Sequence, residues 1–309
     1  MIKQSLFAIA VLVSAATCAQ KKSDPAAFAK TITPEDLKKH LSVIASAEME
    51  GRNTPSAGLE KAATYITDHF RKLGLTPGNN GNYRQTFELS KDSLAALDLS
   101  INSDRFKAFE DISPLFTNGE SIDLQFDEYG FAGYGIVDKD RDDYSGIDVK
   151  GKLVVLFAGA PKGFTPSQQG RLSATSLMVK IRNARKKGAA AILIAVEELP
   201  ARGRSTVSYR PSWTGNDRPK EAPVFFIGKN VVEKSSGHSF AEVIGALDNG
   251  KATSEITKAS IGIHYKLDKG IATASNVLAV VEGTDKKNEY LFITAHYDHV
   301  GKDAAGTIY

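Results

Sequence analysis

The chain is short of cysteine, of tryptophan and of net charge. Its 309 residues hold one Cys, Cys18, and one Trp, Trp213. A single cysteine excludes an intramolecular disulfide and every zinc site built on thiolates, so a metal site here must draw on His, Asp and Glu. Lys and Arg number 39 against 36 Asp and Glu, a formal charge of +3 with the signs interspersed. No basic stripe results, and no nucleic-acid partner is expected. Long apolar runs are missing beyond the N-terminus, so no membrane span is expected in the mature chain. A dinucleotide fingerprint is missing as well: Gly133-x-Gly135 lacks the third glycine and the helix after it. What is present is globular in kind. Hydrophobic residues make up 42% and charged residues 24%, which excludes a collagen-like rod or a long disordered tail. The length suits one large domain or two smaller ones.

Residues 1–19 have the pattern of an export signal: Lys3, then an uncharged apolar run over 5–17, then small residues. Two exits are open. Signal peptidase could cut after Ala19, or Ala15-Ala16-Thr17-Cys18 could act as a lipobox with Cys18 as the lipidated first residue. The protein is therefore expected to be exported: periplasmic, secreted, or lipid-anchored at a bacterial envelope. Residues 20–32 are polar and small, a tether.

Beyond the tether, Thr33-Pro34-Glu35-Asp36 predicts a helix start, because Thr33 can cap, Pro34 suits the first turn, and acids suit the positive end of the dipole. Leu37, Leu41 and Ile44 would line one face. Glu50-Gly51-Arg52-Asn53 reads as a loop. A second helix is predicted over 56–73, from Leu59, Ala62, Ala63, Ile66, Phe70 and Leu73, with Gly74 ending it. Residues 83–89 alternate as a strand. From 112 to 250 the texture becomes β-helix-β, with β character at 129–137, strands at 152–158, 189–196 and 223–227, and a helix at 173–187 whose stripe is Leu177, Ile181 and Ala184. This stretch is expected to be a domain of its own, 112–250, inserted between 33–110 and 251–309, which would form one unit. Strands are predicted at 260–267, 276–282 and 290–295. The last is apolar throughout and expected to be buried on both faces.

That last strand would deliver His296-Tyr297-Asp298-His299-Val300-Gly301 at its C-terminal end, where α/β proteins place active sites. His296 and Asp298 are two apart and share a side of an extended chain. An imidazole can ligate a metal through one nitrogen while its other N–H donates to a carboxylate that fixes tautomer and ring orientation. On spacing alone the pair could equally be structural.

Residues 276–301, NVLAVVEGTDKKNEYLFITAHYDHVG, resemble zinc aminopeptidases of peptidase family M28, in which a strand, a Gly-Thr turn and a second strand lead to His-x-Asp. Residues 41–75 resemble the opening helices of that family, with a Gly-Arg loop and a Leu-Gly-Leu end. Residues 143–152 and the following strand-helix-strand are similar to a protease-associated (PA) domain, inserted at this point in many members. The resemblance implies a zinc-peptidase-like α/β sandwich with a β-rich PA-like insert, with His296 as a zinc ligand and Asp298 as its orienting partner. It also implies two zinc ions bridged by a carboxylate and a water, a Glu general base, and peptide substrates with a free N-terminus. The family's further ligands, a bridging Asp, a Glu pair, another Asp and a final His, are not found after Gly306-Thr307-Ile308. The chain is therefore expected to be an N-terminal piece of a longer enzyme, inactive alone. Carboxypeptidase or glutaminyl-cyclase-like chemistry on the same scaffold, or a non-catalytic surface binding module beside a degenerate hydrolase domain, are the other readings.

The remaining chemistry-bearing residues read as structural. Asp138, Asp140, Asp142 and Asp143 lack the glycine and glutamate of a calcium loop and read as an exposed acidic turn. Arg182, Arg185, Lys186 and Lys187 sit at a helix C-terminus, where the dipole favours cations. His40, His69, His238 and His264 have no partner at ligand spacing. His299 neighbours the pair but faces away from His296 on an ideal strand. Residues 202–220, around Trp213, read as an exposed loop.

Overall fold

The computed structural model describes residues 24–200, 206–212, 220–250, 254–303 and 305–308. Residues 1–19, with Cys18, and Trp213 lie outside them. No helix among the described residues is long and apolar enough to cross a membrane. The chain divides into two compact units, one running to Gln85 and resuming at Ser275, the other Thr86–Ala274. The second is wider than the 112–250 expected of an insert.

The first unit begins with helices α1 (Pro25–Ala29), α2 (Pro34–Ile44) and α3 (Ala57–Lys72). The start of α2 is the one its sequence predicts: Thr33 Oγ1 accepts the Asp36 N–H at 3.2 Å, satisfying an otherwise orphaned donor. At the start of α3, Ser56 Oγ does the same for Leu59 at 3.1 Å. Leu59, Ala62 and Ala63 are buried, and Gly74 ends the run at φ +68, a left-handed turn that suits glycine. Arg84 ties the chain after α3 back to it through Glu60 (2.8 Å), Thr64 (3.0 Å) and Thr67 (3.2 Å). Two short strands, Thr76–Pro77 and Ala279–Val280, pair antiparallel.

The α2 helix forms as its sequence predicts, with Leu37 and Leu41 exposed among the described residues. One expectation fails in this unit. Residues 290–295 form no strand, and Tyr290, Leu291, Phe292 and Ile293 are 78–92% exposed. A strand exists only where a neighbour accepts its backbone hydrogen bonds, and no strand among the described residues pairs with this run.

The second unit is built on a nine-stranded sheet. Its strands are β1 (Arg84–Ile101), β2 (Asp104–Lys107), β3 (Ile112–Phe116), β4 (Ile122–Phe131), β5 (Leu153–Phe157), β6 (Ala191–Ala195), β7 (Val207–Pro211), β8 (Val224–Ile227) and β9 (Glu255–Val277). The spatial order is β7-β1-β9-β4-β5-β6-β8-β3, with β2 beside β1. The stretch β4-β5-β6-β8 is parallel, with helix α4 (Leu177–Lys186) joining β5 to β6, and the pairings β7–β1, β1–β2, β9–β4 and β8–β3 are antiparallel. Side-chain alternation sends Leu153, Phe157, Leu193, Phe225 and Ile227 to one face, and Val154, Leu156, Ile192, Ile194, Val224 and Phe226 to the other. Ile181 and Ala184 of α4 cover the second face. Helices α5 (Lys229–Ser236) and α6 (Phe240–Asp248) add Val231, Val232 and Leu247 to the first. Four strand steps separate β9 from β8, roughly 19 Å in a flat sheet, yet Tyr265 of β9 meets Phe225 of β8 with ring centroids 6.0 Å apart. The sheet is therefore strongly curled around the first core.

Candidate functional site

His296 and Asp298 lie in the first unit on an extended segment rather than at the end of a ladder strand. The segment is held instead by the turn at residues 50–54. Glu50, Gly51 and Arg52 are all left-handed, at φ +51, +67 and +53. The Gly51 carbonyl accepts the Gly301 N–H, and the Arg52 carbonyl accepts the His299 N–H, both at 2.9 Å. The Arg52 guanidinium donates through Nε to the Tyr297 carbonyl at 2.8 Å and through Nη1 to the Ile44 carbonyl. Glycine is required at 51 and at 301. A Cβ on Gly51 would overlap the Gly301 backbone, and a Cβ on Gly301, itself at φ +83, would come within 2.6 Å of Asn53 Cβ. The Tyr297 hydroxyl, whose pKa burial raises, donates to the Ser275 carbonyl.

The two expected site residues meet. His296 Nδ1 lies 3.0 Å from the Asp298 carbonyl oxygen and 3.2 Å from Asp298 Oδ1. Both are acceptors, so in the neutral ring the proton belongs on Nδ1 and Nε2 is the nitrogen left with a lone pair. The imidazole side chain is 80% exposed. Asp298 Oδ2 accepts the Thr54 hydroxyl at 3.3 Å. Beside the segment, Glu50 pairs with Lys302 at 3.0 Å and Lys61 at 3.4 Å. The hydrogen bond and charge of Lys302, and then those of Lys61, hold its carboxyl below the usual range.

A free imidazole nitrogen with its ring oriented by a carboxylate is the donor chemistry zinc takes. One such donor does not make a closed or catalytic site, and no group of three or more His, Cys, Asp or Glu among the described residues could hold a metal ion. His299 is tied to the turn only through its backbone N–H. His40 and His69 do meet, ring centroids 4.6 Å apart, with His40 Nδ1 2.8 Å from the Tyr65 hydroxyl. Arg52 and Thr54 lie where the sequence predicts a loop and assigns neither residue a role. A Gly-Arg turn followed by a hydroxyl just ahead of a helix cap is the signal that was available.

In the second unit the acidic turn is not simply exposed. The Asp143 side chain is 8% exposed, ion-paired to Arg141 at 2.7 Å and accepting the Ile136 N–H at 2.9 Å, while Asp142 pairs with Lys187 at 2.8 Å. The basic end of α4 is likewise partnered, Arg185 with Glu221 and the Ala222 carbonyl. Lys180 is fully buried. Its ammonium donates to the carbonyls of Phe157 (3.1 Å) and Gly159 and lies 5.5 Å from the Tyr134 ring. Burial lowers its pKa to about 8. Lys180 lies three after Leu177 on the same helix face, and the carbonyls that receive it come from the end of β5 and the residues just after it.

A search of the curated proteins finds no match. Among solved structures the chain is similar to a peptidase M28 precursor from Shewanella amazonensis, at 15% identity and TM-score 0.40 over 87% of this chain and 56% of that one. It is also similar to a zinc aminopeptidase from Bacillus subtilis, at 18% identity and TM-score 0.39 over 85% and 50%. It thus spans about half the length of either. The PA domain family matches residues 123–235, which run from β4 through α5. The chain is an α/β protein in which residues 123–235 match the PA domain family.

Proposed function

We propose that this chain is part of an exported, zinc-dependent exopeptidase of the M28 type, most simply an aminopeptidase acting on peptides with a free N-terminus. In this reading His296 is a zinc ligand through Nε2 and Asp298 orients it. The observation that carries the reading is the contact of His296 Nδ1 with Asp298, which in the neutral ring leaves Nε2 as the nitrogen available to a metal on a largely exposed side chain. The sequence likeness of residues 41–75 and 276–301 to M28 peptidases, with a PA domain between them, supports the same assignment.

The domain limits follow from it: 33–110 and 251–309 belong to the peptidase and 112–250 to the insert, after a cleaved signal over 1–19 and a tether over 20–32. Zinc, of which two ions are expected in the complete enzyme, would polarise the substrate carbonyl and activate water. Within this chain, Asp298 holds the proton on Nδ1, and the turn at 50–54 fixes the segment. The bridging carboxylate, the remaining ligands and the general base come from outside the described residues.

The deciding experiment measures zinc content and aminopeptide hydrolysis of the whole protein, with His296→Ala beside wild type. Loss of one zinc and of nearly all turnover is expected. Asp298→Asn should reduce metal affinity or activity by roughly 10–100-fold. Full zinc occupancy with undiminished turnover in His296→Ala would refute the assignment. Substrates with a blocked N-terminus should resist cleavage. Mass spectrometry of protein from its native host should find residues 1 to about 18 or 19 removed, and a lipid on Cys18 if the lipobox operates.

A further inference from the structure

The turn at residues 50–54 has three successive left-handed residues, two of which are not glycine. Each non-glycine residue there costs roughly 1 kcal/mol or more. Such a backbone persists only where surrounding contacts over-determine it. Besides Ile44, Lys61 and Lys302, the contacts here run to one segment: the Tyr297 carbonyl, the His299 N–H, the Gly301 N–H and the Asp298 carboxylate.

The carboxylate contact is the informative one. Asp298 Oδ1 faces His296 Nδ1, and Asp298 Oδ2 faces the Thr54 hydroxyl. With a different donor on each oxygen, the carboxylate resists rotation about its Cβ–Cγ bond. Without Thr54 it could swing away, and the imidazole would retain only the Asp298 backbone carbonyl as acceptor.

We propose that Thr54 is a positioning residue for His296, acting through Asp298 from the strained turn that also holds the segment's backbone. The metal-directed consequence rests on the peptidase reading above; the hydrogen-bond relay itself does not. Among the described residues Thr54 makes no hydrogen bond to the imidazole, so its effect on His296 passes through the carboxylate.

The test compares Thr54→Val, which keeps the shape and removes the hydroxyl, with Thr54→Ser, which restores it. The first readout is the pair of His296 ring ¹⁵N resonances in metal-free protein at a pH where the ring is neutral. Wild type and Thr54→Ser should show the Nδ1–H tautomer, and Thr54→Val should move toward a mixture with Nε2–H. The second readout is zinc affinity of the whole protein. It should fall about tenfold in Thr54→Val, the lower end of what an outer partner contributes, and recover in Thr54→Ser. Adding Thr54→Val to Asp298→Asn should cost nothing further, because the relay is already broken. Should Thr54→Val not fold, Thr54→Ala is read the same way.

An unchanged tautomer in Thr54→Val, or losses that simply add in the double variant, would overturn the relay. The two proposals separate cleanly. A tautomer shift in a protein whose His296 binds no zinc keeps the relay and removes the peptidase reading. Zinc on His296 with no response to Thr54→Val does the reverse.

Discussion

Two apolar segments of similar composition meet opposite fates in this molecule. Ala191–Ala195, AILIA, is strand β6 of the second unit, with all five residues at most 1% exposed. Residues 290–295, YLFITA, are more apolar in bulk, form no strand and stand largely in solvent. The difference is in neighbours. β6 has β5 on one edge and β8 on the other, both parallel, with a hydrophobic cluster against each face. The later run has no described strand on either edge. Apolarity favours burial but cannot supply the backbone partners that make a strand, and a run left this way is an edge for association.

The largest effect should come from breaking the buried member. Ile192→Ala opens a cavity in a close-packed core and should destabilise the second unit by about 2–5 kcal/mol in urea unfolding. Leu291→Ala, the matching change in the exposed run, should stay within about 0.5 kcal/mol of wild type. Equal losses at the two positions would mean that residues 290–295 are packed in solution. Ile293→Lys should instead raise the concentration at which the protein begins to aggregate, read by light scattering.

The second effect tests the polar member of the same core. The folded pKa of Lys180, about 8, lies below its unfolded value of 10.5, so the unfolded state binds more protons between those limits and stability rises with pH there. The slope approaches roughly 1.4 kcal/mol per pH unit. Burial raises the hydroxyls of Tyr134 and Tyr144, which opposes this above pH 10. Unfolding measured from pH 8 to 10 should show the rise in wild type and not in Lys180→Met. A rise that survives the substitution would assign it to another group.

Gly51→Ala sharpens the comparison from the exposed side. The segment carrying His296 has no ladder and depends on the turn, so a methyl group that collides with the Gly301 backbone at φ +67 should release it. Roughly 1–2 kcal/mol of local stability should be lost, seen as faster amide exchange at His299 and Gly301, whose N–H groups the turn accepts. Smallest of all, His296→Ala should shift unfolding of the metal-free chain by less than about 0.5 kcal/mol, since its ring is mostly in solvent.

Local elements were largely legible before the fold was seen. Thr33 caps the helix it was expected to cap, the second helix lies within 56–73 as expected, and β5, β6 and β8 fall where short apolar runs lie between turn signals. The His296–Asp298 pairing was legible because it joins residues two apart. Its support was not, because Arg52 and Thr54 reach it across more than 240 residues of chain. The burial expected of residues 290–295 fails because an apolar pattern says which residues would be buried together, but not whether anything arrives to cover them.

The amino-acid sequence by itself determined what depends on near neighbours: the Thr33 cap, the buried strands' alternation between faces, the exclusion of an intramolecular disulfide by a lone cysteine, and the imidazole–carboxylate spacing. Only the tertiary structure decided what depends on contact between distant segments. It curled the sheet until Tyr265 met Phe225, buried Lys180 against two carbonyls, and braced Asp298 with Thr54 from a strained turn. Chain closure over such separations is set by the sum of all packing contacts rather than by any local pattern, which is why no window of sequence contains it.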